Sequence, residues 1–243
     1  MRHLLFSDIH GNLEALQAVL KSAATKDIDS MCCLGDFVGY GANPNEVVHA
    51  VAELPNCGAV LGNHDAAVID SSEGAFFNPV ARAGVIYSQE HVDEQGTSYL
   101  KDLGLVIDSN EDFLLVHASP ADPGEWIYVL EPLEAADAFH AMKHPLAFIG
   151  HTHFPAVHSE TGSVSPFRPG ERLKVSPEKR LIINVGSVGQ PRDGDCRAAY
   201  VVYDDESKSV EMFRVDYDID TAARKILDAG LPPMLADRIR RGY

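Results

Sequence analysis

The sequence predicts an α/β protein, and three observations carry that prediction. Short apolar runs alternate with helical stripes from the first residue to about residue 150. Beyond that point strand-like runs follow one another with turn signals and no long helix, which reads as an antiparallel or mixed sheet. The chain's 243 residues, 45% of them hydrophobic, suffice for a sizeable core. One domain over 1–243 is expected, with terminal helices at 218–243 as an appendage.

Residues 2–7 read as a first strand that stops at Asp8. Leu13, Leu16 and Leu20, with Ala23 and Ala24, form an apolar stripe at helical spacing, and Asn12 stands before it as an N-cap. Residues 30–34 are a continuous apolar strand closed by Gly35-Asp36. Asn43 and Pro44 open a helix over 44–54, as N-cap and first helical residue. A third strand, 58–61, ends in Gly62-Asn63-His64-Asp65. Residues 66–105 are helical in character, with Val80, Gly84, Tyr87 and His91 stepping at helical spacing after Asn78-Pro79. Residues 111–116 return to strand and end at His117; a helix over 133–142 follows. Residues 146–149 form a strand ending in Gly150-His151-Thr152-His153. Later strands are expected over 181–185, 197–203 and 210–215, and 161–177, rich in Ser, Pro and Gly, is a loop or hairpin crossing. From Ile219 one or two helices run on, broken at Leu231-Pro232-Pro233.

Composition excludes several function classes. A net charge of −16, from 36 acidic against 20 basic residues, argues against a broad nucleic-acid surface, which needs clustered cations. No apolar run approaches the ~20 residues needed to cross a bilayer, and no secretory pattern opens the chain. A soluble, cytoplasmic protein is expected. Cys32, Cys33, Cys57 and Cys196 form no C-x-x-C and read as buried thiols.

The histidines are not scattered. Of the 11, His10, His64, His117, His151, His153 and, less clearly, His158 follow apolar runs. In an extended chain residues i and i+2 share a face, so Asp8 and His10 aim at one point. Asp-x-His alone recurs by chance. Its weight comes from repetition, because five strands end in Asp8/His10, Asp36, Asn63/His64, His117 and His151/His153. In open α/β sheets the carboxyl ends of parallel strands gather on one edge, where ligands bind. Gly11, Gly35, Gly62 and Gly150 beside these residues allow sharp turns. Two carboxylates, an amide oxygen and five imidazoles exceed one tetrahedral site and suit two ions ~3.5–4 Å apart. Asp, Asn and His without Cys point to Mn, Fe, Zn, Co or Ni. Such a site stays positive and attracts phosphate.

These blocks, Asp8-x-His10, Gly35-Asp36, Gly62-Asn63-His64-Asp65, His117 and Gly150-His151-x-His153, resemble the five signature blocks of the calcineurin-like metallophosphoesterases, in the family's order. Residues 183–192 resemble a segment that follows the last block in small bacterial members. The resemblance implies a four-layer α/β/β/α sandwich of two mixed sheets flanked by helices. It implies that Asp8, His10 and His153 bind one metal, that Asn63, His117 and His151 bind a second, and that Asp36 bridges them. It further implies hydrolysis of phosphate esters by a metal-bound hydroxide, with His64 facing the substrate as general acid or phosphate contact.

One block departs from the pattern. Protein Ser/Thr phosphatases of the family carry Asp and Arg where this chain has Gly39 and Tyr40. The phosphate-clamping arginine must then come from elsewhere, and Arg192 is the candidate, beside Asn63 and His64, for contact with substrate. A phosphodiesterase or general small-molecule phosphoesterase is favoured on this ground. The alternatives are a protein Ser/Thr phosphatase, a dinucleoside-polyphosphate hydrolase, or a non-catalytic metal-dependent scaffold. Trp126 and Tyr128 either wall a substrate pocket or pack in the core, His158 reads as a strand or surface histidine, and Ser119 and Ser187 lack nucleophile context.

Overall fold

The computed structural model describes residues 1–109, 112–176 and 178–243. Among these residues, strands β1 (Arg2–Phe6), β2 (Ser30–Cys33) and β3 (Cys57–Ala59) run parallel, as their intervening helices α1 (Leu13–Ala23) and α2 (Pro44–Ala52) dictate. Three helices follow: α3 (Asn63–Ile69), α4 (Pro79–His91) and α5 (Glu94–Lys101). The second sheet begins with β4 (Val106–Asp108) and β5 (Leu114–Val116). Helix α6 (Pro132–Ala141), β6 (Leu146–Ile149), β7 (Ala156–Ser159), β8 (Val164–Pro166), β9 (Arg172–Lys174) and β10 (Leu181–Asn184) come next. The last elements are β11 (Ala198–Asp204), β12 (Ser209–Val215), α7 (Ile219–Asp228) and α8 (Pro233–Arg241).

Two six-stranded mixed sheets result, ordered β3-β2-β1-β11-β12-β9 and β4-β5-β6-β10-β7-β8. Residue alternation fixes the layers. Leu4 and Phe6 face α1 and α2 with Leu16, Val19, Val47 and Val48, whereas Leu5 faces the other sheet. Leu146 and Phe148 likewise enter the space between the sheets, while Ala147 and Ile149 meet Ala138 and Phe139 of α6. Strands buried on both faces read as continuous apolar runs, which is why β1 and β6 stood out in the sequence. Removing each such Leu, Ile or Phe side chain from water contributes roughly 1.5–3 kcal/mol. The layers are helices, sheet, sheet, helix, as the resemblance implied.

Several local expectations change. The helix expected from residue 66 starts at Asn63, so Asn63 and His64 occupy its first turn rather than a strand tip. Asn12 does cap α1, its Oδ1 accepting from the Ala15 N–H at 3.1 Å. Asn43 precedes α2 without capping it, because its amide is engaged by Glu46 and by Lys225 of α7. The 161–177 crossing contains β8 and β9; its last residue, Pro177, and Glu111 of the expected 111–116 strand lie outside the described residues. Helices α7 and α8 bury Ala223, Ile226, Leu235 and Ile239 in a cluster that includes Tyr40 and Ala81. Among the described residues no helix is long and apolar enough to cross a membrane.

Candidate metal centre

The polar residues that end the apolar runs meet where the two sheets abut. They come from two sheets rather than one: Asp8, His10, Asp36, Asn63 and His64 follow β1, β2 and β3, and His117, His151 and His153 follow β5 and β6. The segment after β10 ties the sheets together, since the Val188 and Gly189 N–H groups donate to Ser7 and Asp8 carbonyls at 2.9 Å. Ser187 Oγ donates to the Asp8 carbonyl at 2.8 Å, a structural use for this hydroxyl.

Two half-sites lie side by side. In one, Asp8 Oδ1 sits 3.3 Å from His153 Nε2 and 3.8 Å from His10 Nε2, and the two ring nitrogens are 3.1 Å apart. In the other, His117 Nε2 lies 3.2 Å from Asn63 Oδ1 and 3.2 Å from His151 Nδ1. Asp36 stands between them, its Oδ2 being 3.5 Å from His10 Nε2 and 3.4 Å from His117 Nε2. The other oxygens are taken by backbone: His64 N–H donates to Asp36 Oδ1 at 2.8 Å, and His151 N–H to Asp8 Oδ2 at 3.0 Å.

Proton placement follows from the outer ring nitrogens. His10 Nδ1 meets the Val38 carbonyl, His117 Nδ1 that of Leu34, His153 Nδ1 that of Gln190 and His151 Nε2 that of Trp126, at 2.6–2.9 Å. A carbonyl only accepts, so each ring donates outward and turns a lone pair inward, as metal-ligating imidazoles do. The inner cluster is therefore acceptors facing acceptors, and buried Asp8 Oδ1 has no hydrogen-bond partner among the described residues. Such a collection fits divalent cations. Asp8, His10 and His153 form one group able to hold an ion, and Asp36, His117 and His151 another. His64 also falls within reach of His10 and Asp36, but no carbonyl holds its outer nitrogen: Nδ1 is buried without a partner among the described residues.

Electrostatics agree. Burial opposes charge on His117, yet neighbouring Asp36 raises it to about 9, an environment that favours positive charge beside that carboxylate. Burial, reinforced by His117, lowers His151 to about 3, and burial lowers His64 to about 4. Backbone strain marks the same residues. Asp8, His10, Asp36, Tyr40, His151 and His153 have φ of 55, 50, 55, 58, 67 and 63°, the left-handed region that non-glycine residues rarely occupy. Of the four glycines, Gly11 and Gly35 do provide positive-φ turns. Gly62 and Gly150 serve instead for close approach: a Cβ there would lie 2.2 Å from Asp36 Oδ1 and 2.1 Å from Ser7 Oγ.

Residues 1–208 match the calcineurin-like phosphoesterase superfamily domain. The chain belongs to this family. It is 38% identical over 241 residues to an uncharacterized protein of Methanocaldococcus jannaschii, spanning 98% of this chain and 97% of that one. A metallophosphoesterase crystal structure from Sphaerobacter thermophilus matches with a TM-score of 0.90 at 39% identity, over 100% and 99% of the two chains. A hypothetical protein from Pyrococcus horikoshii OT3 shares the fold at a TM-score of 0.80 and 19% identity, over 100% and 98%. The protein is thus a metallophosphoesterase, a phosphoric ester hydrolase of a metal-dependent family.

Within this calcineurin-like site, the departure at Gly39 and Tyr40 has a clear geometry. Gly39 lies flat against His64, where a Cβ would come within 2.3 Å of Nδ1. The Tyr40 ring packs 4.6 Å from the rings of both His10 and His64, and Phe77 covers His64 at 4.8 Å. Arg192 lies at the rim, with Nη2 3.4 Å from Tyr40 Oη and 3.2 Å from Gln190 Oε1, and without a carboxylate partner among the described residues. Trp126 contributes its carbonyl, and Tyr128 stacks on His151 at 4.0 Å. His158 is a buried strand residue outside the cluster.

Sequence reasoning passed over Asp65. Its carboxylate accepts four backbone N–H bonds, from Asp36 (2.8 Å) and Gly62 (3.0 Å) on Oδ2 and from Phe37 (2.9 Å) and Val38 (3.3 Å) on Oδ1. It clamps the turn bearing Asp36 to the start of α3. Burial and the Asp36 charge push its carboxyl up to about 8, but all four contacts are donors, so the loop accommodates the ionised form. The available signal was its place three residues after Gly62, where a helix-opening carboxylate bonds back to the chain.

Proposed function

We propose that the chain is a dinuclear metal-dependent phosphoesterase that favours phosphodiesters and other small-molecule phosphate esters. In this reading Asp8, His10 and His153 hold one divalent transition-metal ion, Asn63, His117 and His151 hold a second, and Asp36 is shared. The supporting observation is the cluster of inward lone pairs held by outward N–H bonds to four carbonyls. Two such ions, when bound, supply Lewis-acid polarisation of the phosphoryl group and acidify the attacking water.

The chain's own residues do the rest. The carbonyls of Leu34, Val38, Trp126 and Gln190 keep protons off the inner nitrogens. His64, held neutral by burial, offers a ring N–H to a phosphoryl or leaving oxygen. Asn63, at the opening of α3, touches the ester as well as its ion. Arg192, without a carboxylate partner among the described residues, swings its guanidinium toward the phosphate. A monoester dianion calls for a fuller cationic clamp than one rim arginine provides, and Gly39 and Tyr40 supply none, which favours the diester. The four unpaired thiols suit a reducing, cytoplasmic compartment.

The test is to strip the protein with chelator, reload it with each of Mn, Fe, Zn, Co and Ni, and measure bound metal beside hydrolysis of bis(4-nitrophenyl) phosphate and 4-nitrophenyl phosphate. About two ions per chain and faster diester turnover are expected. Faster turnover of the monoester, or of a phosphoprotein, overturns the preference; trace metal at saturation overturns the mechanism.

A further inference from the structure

Beside the metal centre lies a cavity of about 600 Å³, within the roughly 300–1,000 Å³ of small-molecule pockets. Its walls come from the segment after Trp126, from the residues following His153, and from β7, β8 and the turn to Pro169. Leu130, Phe154, Pro155 and Phe167 make it largely apolar. Leu130 and Phe154 remain 47% and 42% exposed.

Three links join this cavity to the phosphoryl centre. Thr152 lines it from between His151 and His153. The wall segment that carries Leu130 also carries Tyr128, stacked on His151. Arg192 lines it while packing over the Tyr40 ring that touches His10 and His64. Charge at the rim is lopsided. Asp193 is neutralised by buried Arg214, whereas Arg168 and Arg192 have no carboxylate partner among the described residues. The wall also holds His158, 1% exposed, neither of whose ring nitrogens has a hydrogen-bond partner among the described residues.

We propose that this cavity receives the organic arm of the substrate, a bulky, ring-bearing apolar group, while the ester's phosphate lies at the metal centre under Arg192. The assignment rests on the phosphoesterase reading of that centre and narrows its substrate class. Apolar walls and exposed rim side chains gain by leaving water when a ring enters. These two rim arginines match the anionic phosphate to which the ring is attached.

Binding of two hydrolysis-resistant probes to the metal-loaded protein tests this, using calorimetry with methylphosphonate and naphthylmethylphosphonate. The naphthyl probe is expected to bind at least tenfold more tightly. Leu130→Ser and Phe154→Ala, at half-exposed positions, should each reduce the ratio of the two affinities at least threefold. In parallel, 4-nitrophenyl diesters with methyl, phenyl and naphthyl second arms should show kcat/KM rising with arm size. Equal affinity for both phosphonates overturns the pocket and leaves the phosphoesterase reading standing. Failure of both to bind overturns the two together, and an unchanged ratio in both variants assigns the ring to another surface.

Discussion

Replacing Asp65 by Asn tests whether the metal centre is held in place by one buried carboxylate. The wild-type side chain takes two N–H bonds on each oxygen. Asparagine is nearly isosteric, but keeps only one acceptor oxygen; its amide nitrogen turns two of the four contacts into donor facing donor. Each buried N–H left without an acceptor costs about 1–3 kcal/mol. With its amide oriented to keep the Oδ1 pair, the variant strands the Asp36 and Gly62 N–H groups. The expected loss is about 3 kcal/mol, a large part of the ~5–15 kcal/mol that stabilises a typical domain. For a chain of this size that lowers the melting midpoint by about 6–12 °C. Urea unfolding of the chelator-stripped protein is the assay, because bound ions would add their own linkage to the midpoint. The midpoint should fall at unchanged slope, and zinc affinity should weaken, since Asp36 and Asn63 both sit on the freed turns. A loss below about 1 kcal/mol with unaltered metal affinity would refute the clamp.

The other predictions concern the substrate side and pH. Gly39→Ala places a Cβ 2.3 Å from His64 Nδ1 at a φ of +85°, so His64 must move; kcat/KM should drop at least tenfold, and unchanged kinetics would remove His64 from the reaction. Arg192→Ala should raise KM about tenfold, the value of a charge-assisted hydrogen bond, with stability to urea falling by no more than about 1 kcal/mol for its lost contacts to Tyr40 and Gln190. An unaltered KM would end its assignment to phosphate. Metal-free protein should be most stable near pH 6.5, the ordinary histidine value. His117, raised to about 9, favours the folded state fully below 6.5, and that benefit disappears as pH rises through 9. His64 and His151, lowered to about 4 and about 3, favour it above 6.5, and that benefit is lost as acid protonates the unfolded chain first. A flat urea midpoint from pH 5 to 9 without metal, measured by circular dichroism, would contradict these environments.

Much of this architecture is legible in the chain because local signals and buried strands coincide. Residues 146–149 form β6 with the expected ends, since a four-residue apolar run between Pro145 and Gly150 has nowhere else to begin or stop. The residues proposed as ligands stand out for the same reason: each follows such a run. What the chain conceals is pairing between distant segments. Nothing near Ala198–Asp204 says that β11 lies against β1 while β10 joins the other sheet, because both are equally apolar and β1 lies almost the whole chain away from β11. Three-residue strands such as β4, whose ends are exposed, carry too short an alternation to register. Asp65 was hidden because its partners are backbone N–H groups, which every residue has; only the fold decides that four of them converge.

The placement of β11 has a consequence for biosynthesis. β1, the bed beneath Asp8 and His10, lies between β2 and β11 and pairs with β11 from Arg2 to Leu5. A ribosome therefore releases every proposed ligand, His153 last, well before it releases the strand that covers the open edge of β1. Until then a row of unpaired peptide groups stays available to any passing chain, and a cation captured early would rest on half a sheet. Translation pauses after residue 153 would thus be the moments at which this polypeptide most needs a chaperone.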